Sequence, residues 1–283
     1  MAATTRTATR RVNRMTQTVA VLGTGKIGEA LLSGMIRAGW RARDLLVTNR
    51  RSERAEELRT RYGVESVTNA EAARSADILI LAVKPQDMGK LLDELAPHVT
   101  PDRLVISAAA GIPTAFIEER LAEGTPVVRV MPNTPVVVDE GMSVISAGSH
   151  ATPEHLGHAE AIFGGVGKTL RVPESQQDAA TALSGSGPAY FYFLVEAMTD
   201  AGILLGLPRA QAHDLIVQAA IGAAIMLRDS GEHPVKLREA VTSPAGTTIS
   251  AIRELENHGV RAALIAALEA ARDRSRELAS GNG

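Results

Sequence analysis

The stretch TVAVLGTGKIGEALLSGMIRAG, Thr18–Gly39, decides how the first half of this chain is built. TVAVLG is a short apolar run that stops at a glycine, the pattern of a strand buried on both faces. The residues after it place Ile27, Leu31 and Met35 at helical spacing. Between the two lies GTGKIG, with Gly23, Gly25 and Gly28 in the spacing G-x-G-x-x-G. The motif alone is weak, but a strand before it and a helix after it are the context its mechanism needs. Gly23 then permits the tight turn, Gly25 the approach of a pyrophosphate, and Gly28 close helix–strand packing. The free N–H groups at the helix start, on Lys26, Ile27 and Gly28, face the anion. The competing reading is a glycine-rich turn with no ligand.

Outward from this stretch, strands alternate with helices. LLVTNR, VESVT, ADILILAV (Ala76–Val83), RLVISAAAG and VVRVMPN read as strands, with helical segments of about 10–15 residues between them. That alternation means βαβ units and a mainly parallel sheet. MSVIS and KTLRV read as later strands, with an antiparallel pairing open to them. After Arg171–Ser175 strand signals stop. Helices are expected to start at Pro188 and Pro208, with shorter ones over HPVKLREAV and TISAIRELENHG and a long one at the end. The fold class is therefore α/β: an N-terminal Rossmann-type doubly wound sheet with an all-helical C-terminal dimerisation domain. The expected boundaries are a disordered extension over 1–16, a dinucleotide-binding domain over 17–173 and a helical dimerisation and substrate domain over 174–283. Met15 is an alternative start. Dimerisation is expected because IGAAIMLRD and RAALIAALEAA are apolar on more than one side, which a surface helix is not.

Composition narrows the function. The net charge of −2 gives no electrostatic footprint for nucleic acid. No window is expected to cross a bilayer, which takes about 20 apolar residues. With no cysteine, disulfides, thiol catalysis and Cys-based metal sites are excluded, and a cytoplasmic location fits. His155 and His158 could share a helix face beside Glu154, but a solvated segment after Pro153 is the better reading, and no metal is expected.

The flavour of the nucleotide is read after the second strand. An NAD enzyme places an Asp or Glu there for the ribose hydroxyls. Asp44 precedes the strand, and the strand runs out into Thr48, Asn49, Arg50 and Arg51. Two guanidiniums without a carboxylate suit a 2′-phosphate, hence NADPH, with NADH still open. Alternatively the arginines only cap and solubilise the next helix. The other crevice loops are Ala82, Val83, Lys84 and Pro85; Ala109, Ala110 and Gly111; Asn69; and Asn133. For Lys84 the alternative is a stem snorkelling to solvent. For Asn133 it is an Asx turn before Pro135.

One segment of the second half stands apart. In REAVTSPAGTTISAIRELE (Arg238–Glu256) small and hydroxylated residues open a helix. Ser243 reads as the N-cap and Pro244 as the first helical residue. The unpaired first-turn N–H groups then fall near Ala245, Gly246, Thr247 and Thr248, a site for an anion such as a carboxylate. The alternative is an ordinary capped helix whose Thr hydroxyls bond back to their own carbonyls.

These residues resemble the signature segment of the pyrroline-5-carboxylate reductase family. LSGSGPAY (Leu183–Tyr190), MPNTPVVVDEG, AVKPQ and SAAAGI resemble that family's motifs too, in its order, from Thr18 to about Leu278. The resemblance implies hydride transfer from NAD(P)H to the C=N carbon of Δ1-pyrroline-5-carboxylate, giving L-proline, the last step of proline synthesis. It implies that Thr248 is the catalytic residue, bonding the ring nitrogen. Ser243 and the N–H groups around Gly246 and Thr247 would hold the carboxylate. It implies contact of Asn69, Lys84, Asn133 and Ala109–Gly111 with the cofactor. It also implies a homodimer of interlocked C-terminal helices whose interface carries the active site; such dimers often assemble into decamers. The TNRRS loop varies in the family, so the NADPH reading rests on its own chemistry. A β-hydroxyacid-type dehydrogenase would want a catalytic Lys on the helical domain, where only Lys236 is found, just after a turn. A non-catalytic NADPH sensor would leave the anion site of the second half unexplained.

Overall fold

A computed structural model describes residues 17–279; the extension over residues 1–16 lies outside the described residues. In chain order the first part holds β1 (Val19–Leu22), α1 (Lys26–Arg37), β2 (Leu45–Thr48), α2 (Ser52–Tyr62), β3 (Glu65–Ser66), α3 (Asn69–Ser75) and β4 (Ile78–Leu81). Then come α4 (Met88–Leu95), β5 (Leu104–Ser107), α5 (Thr114–Glu118), β6 (Val127–Met131), β7 (Gly141–Ala147), α6 (Pro153–Phe163) and β8 (Gly167–Arg171). The strands form one sheet in the order β3-β2-β1-β4-β5-β6-β7-β8. It is parallel through β6; β7 runs antiparallel to β6, and β8 parallel to β7. The order reverses at β1, whose neighbours are β2 and β4, so a crevice opens at the carboxyl ends of these strands.

The sheet is buried on both faces, which is why its central strands read as unbroken apolar runs. Val19, Val21, Ile78 and Ile80 pack with Leu31, Met35 and Phe163 on one face. Ala20, Leu22, Leu79 and Leu81 pack with Ala73, Met88 and Leu92 on the other. Alternation of side chains along each strand produces the two layers.

The remaining helices are α7 (Gln177–Ala180), α8 (Gly187–Leu204), α9 (Arg209–Ser230), α10 (Pro234–Ala240), α11 (Thr247–Asn257) and α12 (Val260–Ala279). Pro188 lies in the first turn of α8, Pro208 caps α9, and Gly231 ends it in a left-handed conformation at φ 69°. The chain divides into two compact units, one running to Gly185 and resuming at Arg272, the other Ser186–Ala271. In the second, only Gly187, Thr199 and Ala212 are buried. Phe191, Phe193, Leu204, Leu215 and Met226 are largely exposed. Three small residues make no core, so this unit is completed by other chains.

α9 corrects one expectation. Its 22 residues hold an 18-residue window of mean hydropathy 1.3, long and apolar enough to cross a membrane. The Leu215–Leu227 run, broken by one Gln, two Ala pairs and a Gly, lacks the look of a span because small residues dilute it.

Candidate active site

The glycine-rich loop turns at the head of β1. Gly23 has φ +90°, and a Cβ there would sit 2.8 Å from Val83 Cγ1 and 3.0 Å from the Ala82 carbonyl. The turn and the β4 loop thus exclude any side chain. Gly25 caps α1 with no side-chain bond, and a Cβ on it would meet nothing within 4 Å. A Cβ on Gly28 would collide with the Gly23 carbonyl oxygen. The local geometry of the three glycines is thus a turn, an open backbone and a close helix–loop contact. The N–H groups of Lys26, Ile27 and Gly28 are left without intrahelical partners at an open helix start. Glu29 adds negative charge to that first turn, but Arg54 pairs with it and Arg61 donates to it at 2.9 Å. The cradle fits a dinucleotide pyrophosphate.

The loop after β2 is tied to this cradle. Asn49 Nδ2 donates to the buried Thr24 hydroxyl at 2.9 Å, and Asn49 Oδ1 accepts from the Arg51 N–H at 3.0 Å. Asn49 therefore shapes the crevice wall with both ends of its amide engaged. Arg50 reaches across to Asp87, with Nη2 3.0 Å and Nη1 3.4 Å from its two carboxylate oxygens. Arg51 caps α2 through its backbone and projects an exposed guanidinium. Arg51 thus fits both readings, helix cap and phosphate ligand. Lys84 is exposed, at the head of the β4 loop, with no ion pair among the described residues.

The remaining cofactor candidates divide. Ala109 is buried, and Gly111 turns at φ +71° at the carboxyl end of β5. Asn133 is buried at the end of β6, where Oδ1 accepts from Met142 N–H at 2.8 Å and Nδ2 donates to the Ser184 carbonyl at 3.0 Å. It ties β7 to the π-helical turn Thr181–Gly185, so one N–H remains for anything else. Asn69 opens α3 and donates to Glu94 at 2.7 Å. His155 belongs to a capping box: its Nδ1 accepts from Thr152 N–H at 3.1 Å, and its own N–H donates to the Thr152 hydroxyl. Burial and the nearby His158 hold its pKa below the ordinary value.

In the second unit, the segment Thr242–Thr248 departs from the expected cap. Helix α11 begins at Thr247 with Gly246 as its N-cap. Ser243 and Pro244 lie before it because Ser243–Gly246 is a tight turn. Its Gly246 N–H donates to the Ser243 carbonyl at 3.1 Å, and Ala245 is left-handed at φ +55°. A Pro followed by a positive-φ residue is the turn's signature. The Gly246 N–H is therefore already engaged, and the open N–H groups belong to Thr247, Thr248 and Ile249. A Cβ on Gly246 would strike the Ser243 hydroxyl, so glycine lets that hydroxyl lie over the helix start. Neither the Thr247 nor the Thr248 hydroxyl has a hydrogen-bond partner among the described residues; it is Ser250 and Thr242 that bond back, to Gly246 and Arg238 carbonyls. Two hydroxyls without partners among the described residues and three N–H groups without intrahelical acceptors thus lie in one helical turn.

Sequence reasoning missed Asp87 and Thr24. Thr24 fills an unspecified position of the Gly-rich motif and Asp87 falls just past AVKPQ, so the motifs assign neither a role; each meets a partner more than 20 residues away, Asn49 and Arg50.

Comparison with known proteins agrees with this geometry. The family described as NADP oxidoreductase, coenzyme F420-dependent, matches residues 18–111. Sheet order, cradle and this match define an NAD(P)H-dependent oxidoreductase. The family described as pyrroline-5-carboxylate reductase dimerisation matches residues 174–278. A pyrroline-5-carboxylate reductase of Corynebacterium melassecola is 47% identical over 265 residues, covering 92% of this chain and 98% of the relative. One from Methanosarcina acetivorans is 46% identical, over 93% of this chain and 98% of its own. Among solved structures, that of a Coxiella burnetii pyrroline-5-carboxylate reductase superposes with TM-score 0.88 at 36% identity, over 93% of this chain and 98% of that one. The Plasmodium falciparum pyrroline carboxylate reductase with NADP bound gives 0.83 at 29% identity, over 93% and 98%. The chain belongs to the pyrroline-5-carboxylate reductase family, and its C-terminal helices form a homo-oligomer.

Proposed function

We propose that the protein reduces Δ1-pyrroline-5-carboxylate to L-proline, with NADPH as the preferred cofactor, as a dimer joined through α8–α12, with assembly of such dimers into decamers. The observation that carries the substrate side is the open first turn of α11, with Thr247 and Thr248 hydroxyls unengaged beside it. NADPH, when bound, would supply the hydride that the C=N carbon accepts. The chain's residues bind and orient. The N–H groups of Thr247 to Ile249, with the Ser243 hydroxyl, hold the substrate carboxylate at the positive end of α11. The Thr248 oxygen accepts from the protonated ring nitrogen, which keeps that proton as it becomes the amine of proline. A cyclic iminium already carries its electrophilic charge, so no strong general acid is needed; orientation supplies most of the catalysis. On the cofactor side, the α1 start receives the pyrophosphate, and Arg50 and Arg51 the 2′-phosphate. Steady loss of NADPH absorbance on adding pyrroline-5-carboxylate tests the reading. No turnover with this imine, in a protein that still binds NADPH, would favour the sensor instead.

A further inference from the structure

β1 lies between β2 and β4 in the sheet, so a contact from the β2 loop to the β4 loop must pass over the head of β1. The Arg50–Asp87 pair is such a contact. Two strand spacings are about 9.6 Å, a gap that the Arg50 and Asp87 side chains span together through their 3.0 Å contact. The strap therefore crosses the mouth of the crevice that begins at Gly23. Its halves are unequal: the Arg50 side chain is 80% exposed and that of Asp87 only 31%. Asp87 is thus the anchored end and Arg50 the end free to swing. The Asp87 carboxylate has no other side-chain partner among the described residues, nor does it cap α4.

From this we infer that Asp87 sets how strongly the protein discriminates NADPH from NADH, by competing with the 2′-phosphate for Arg50. The inference rests on the reading of Arg50 as a phosphate ligand. A 2′-phosphate brings a second anion to a guanidinium that Asp87 already holds, and its charge repels the carboxylate left behind. A cofactor without that phosphate leaves the pair intact and meets no such repulsion. Asp87 thereby narrows the preference and keeps NADH usable. Nothing in the Gly-rich motif encodes this, since the carboxylate arrives from the β4 loop.

The test needs no turnover. Calorimetric titration with adenosine 2′,5′-bisphosphate and with AMP reads the 2′-phosphate contribution as a ratio of dissociation constants. In Asp87→Asn that ratio should shift about two- to fivefold in favour of the bisphosphate, the scale of one exposed ion pair. AMP binding should change less than about twofold, and the shift should shrink in high salt. Placing Asp87→Asn in an Arg50→Ala background should reduce the gain, since the competition is for Arg50. A ratio unchanged or moved against the bisphosphate in Asp87→Asn, while Arg50→Ala still lowers it, overturns the role of Asp87. A ratio that Arg50→Ala leaves untouched overturns the phosphate reading itself.

Discussion

Thr248 is half-buried in the first turn of α11, with a hydroxyl that has no partner among the described residues. A hydroxyl kept free at an open helix start is placed for a ligand, since interior Thr residues otherwise bond back to a preceding carbonyl. Thr248→Ala should lower kcat/KM for the imine about 10–100-fold, the scale of one oriented hydrogen bond. A fall in kcat with cofactor binding intact separates this from misfolding; an unchanged kcat/KM removes Thr248 from the mechanism. On the cofactor side, Arg50→Ala with Arg51→Ala should raise the KM for NADPH far more than that for NADH. Equal effects would leave the arginines as helix cap and solubilising charge. The turn at Gly23 and the close packing at Gly28 were legible because the positive φ of the one and the contact of the other with the Gly23 carbonyl are decided within six residues of chain. The partners of Asn49 and Arg50 were not, because Thr24 and Asp87 meet them only through the parallel register of β1, β2 and β4.

At the scale of elements, period and punctuation named nearly every helix and strand, and mistakes came where one signal has two meanings. Ser-Pro is both a cap with a first helical residue and the start of a tight turn; the turn won at Ser243 because Ala245 takes a positive φ. His155 shows the reverse, a residue open to a metal reading that proves to cap α6. Its cap bond needs Nδ1 unprotonated, and burial disfavours the charged ring. The folded pKa lies below the unfolded value, so the unfolded chain binds the proton first as pH falls. Stability from this group is whole above the unfolded value of about 6.5 and is lost as pH drops through the lower folded one. Between pH 7.5 and 5.5 the Tm of His155→Gln should therefore fall less than that of the parent. Parallel losses would mean that other groups govern this window.

At the scale of the molecule, the sequence showed that helices such as α9 are apolar on several sides, but only the structure shows how little the second unit buries alone. A single chain leaves Ile221 and Ile225 exposed four residues apart on one stripe of α9. Both are about half exposed, so covering the two contributes on the order of 1.5–3 kcal/mol per chain, counted once from each chain of a pair. A membrane could cover α9 by length and hydropathy alone, but Arg209, Asp214, Arg228 and Asp229 punctuate both its ends, and the family match assigns these helices to association between chains. Replacing Ile221 and Ile225 together by Asp should lower the mass seen by light scattering towards that of one chain. It should also lower the Tm and take NADPH-dependent turnover with it, because the unit that carries Thr248 is the one left without a core. Binding of adenosine 2′,5′-bisphosphate should survive, since the cradle belongs to the first unit and its two-layered core. If mass and turnover both persist in the double variant, the stripe is not the seam between chains. If bisphosphate binding is lost as well, the cradle depends on assembly and the two units are not independent.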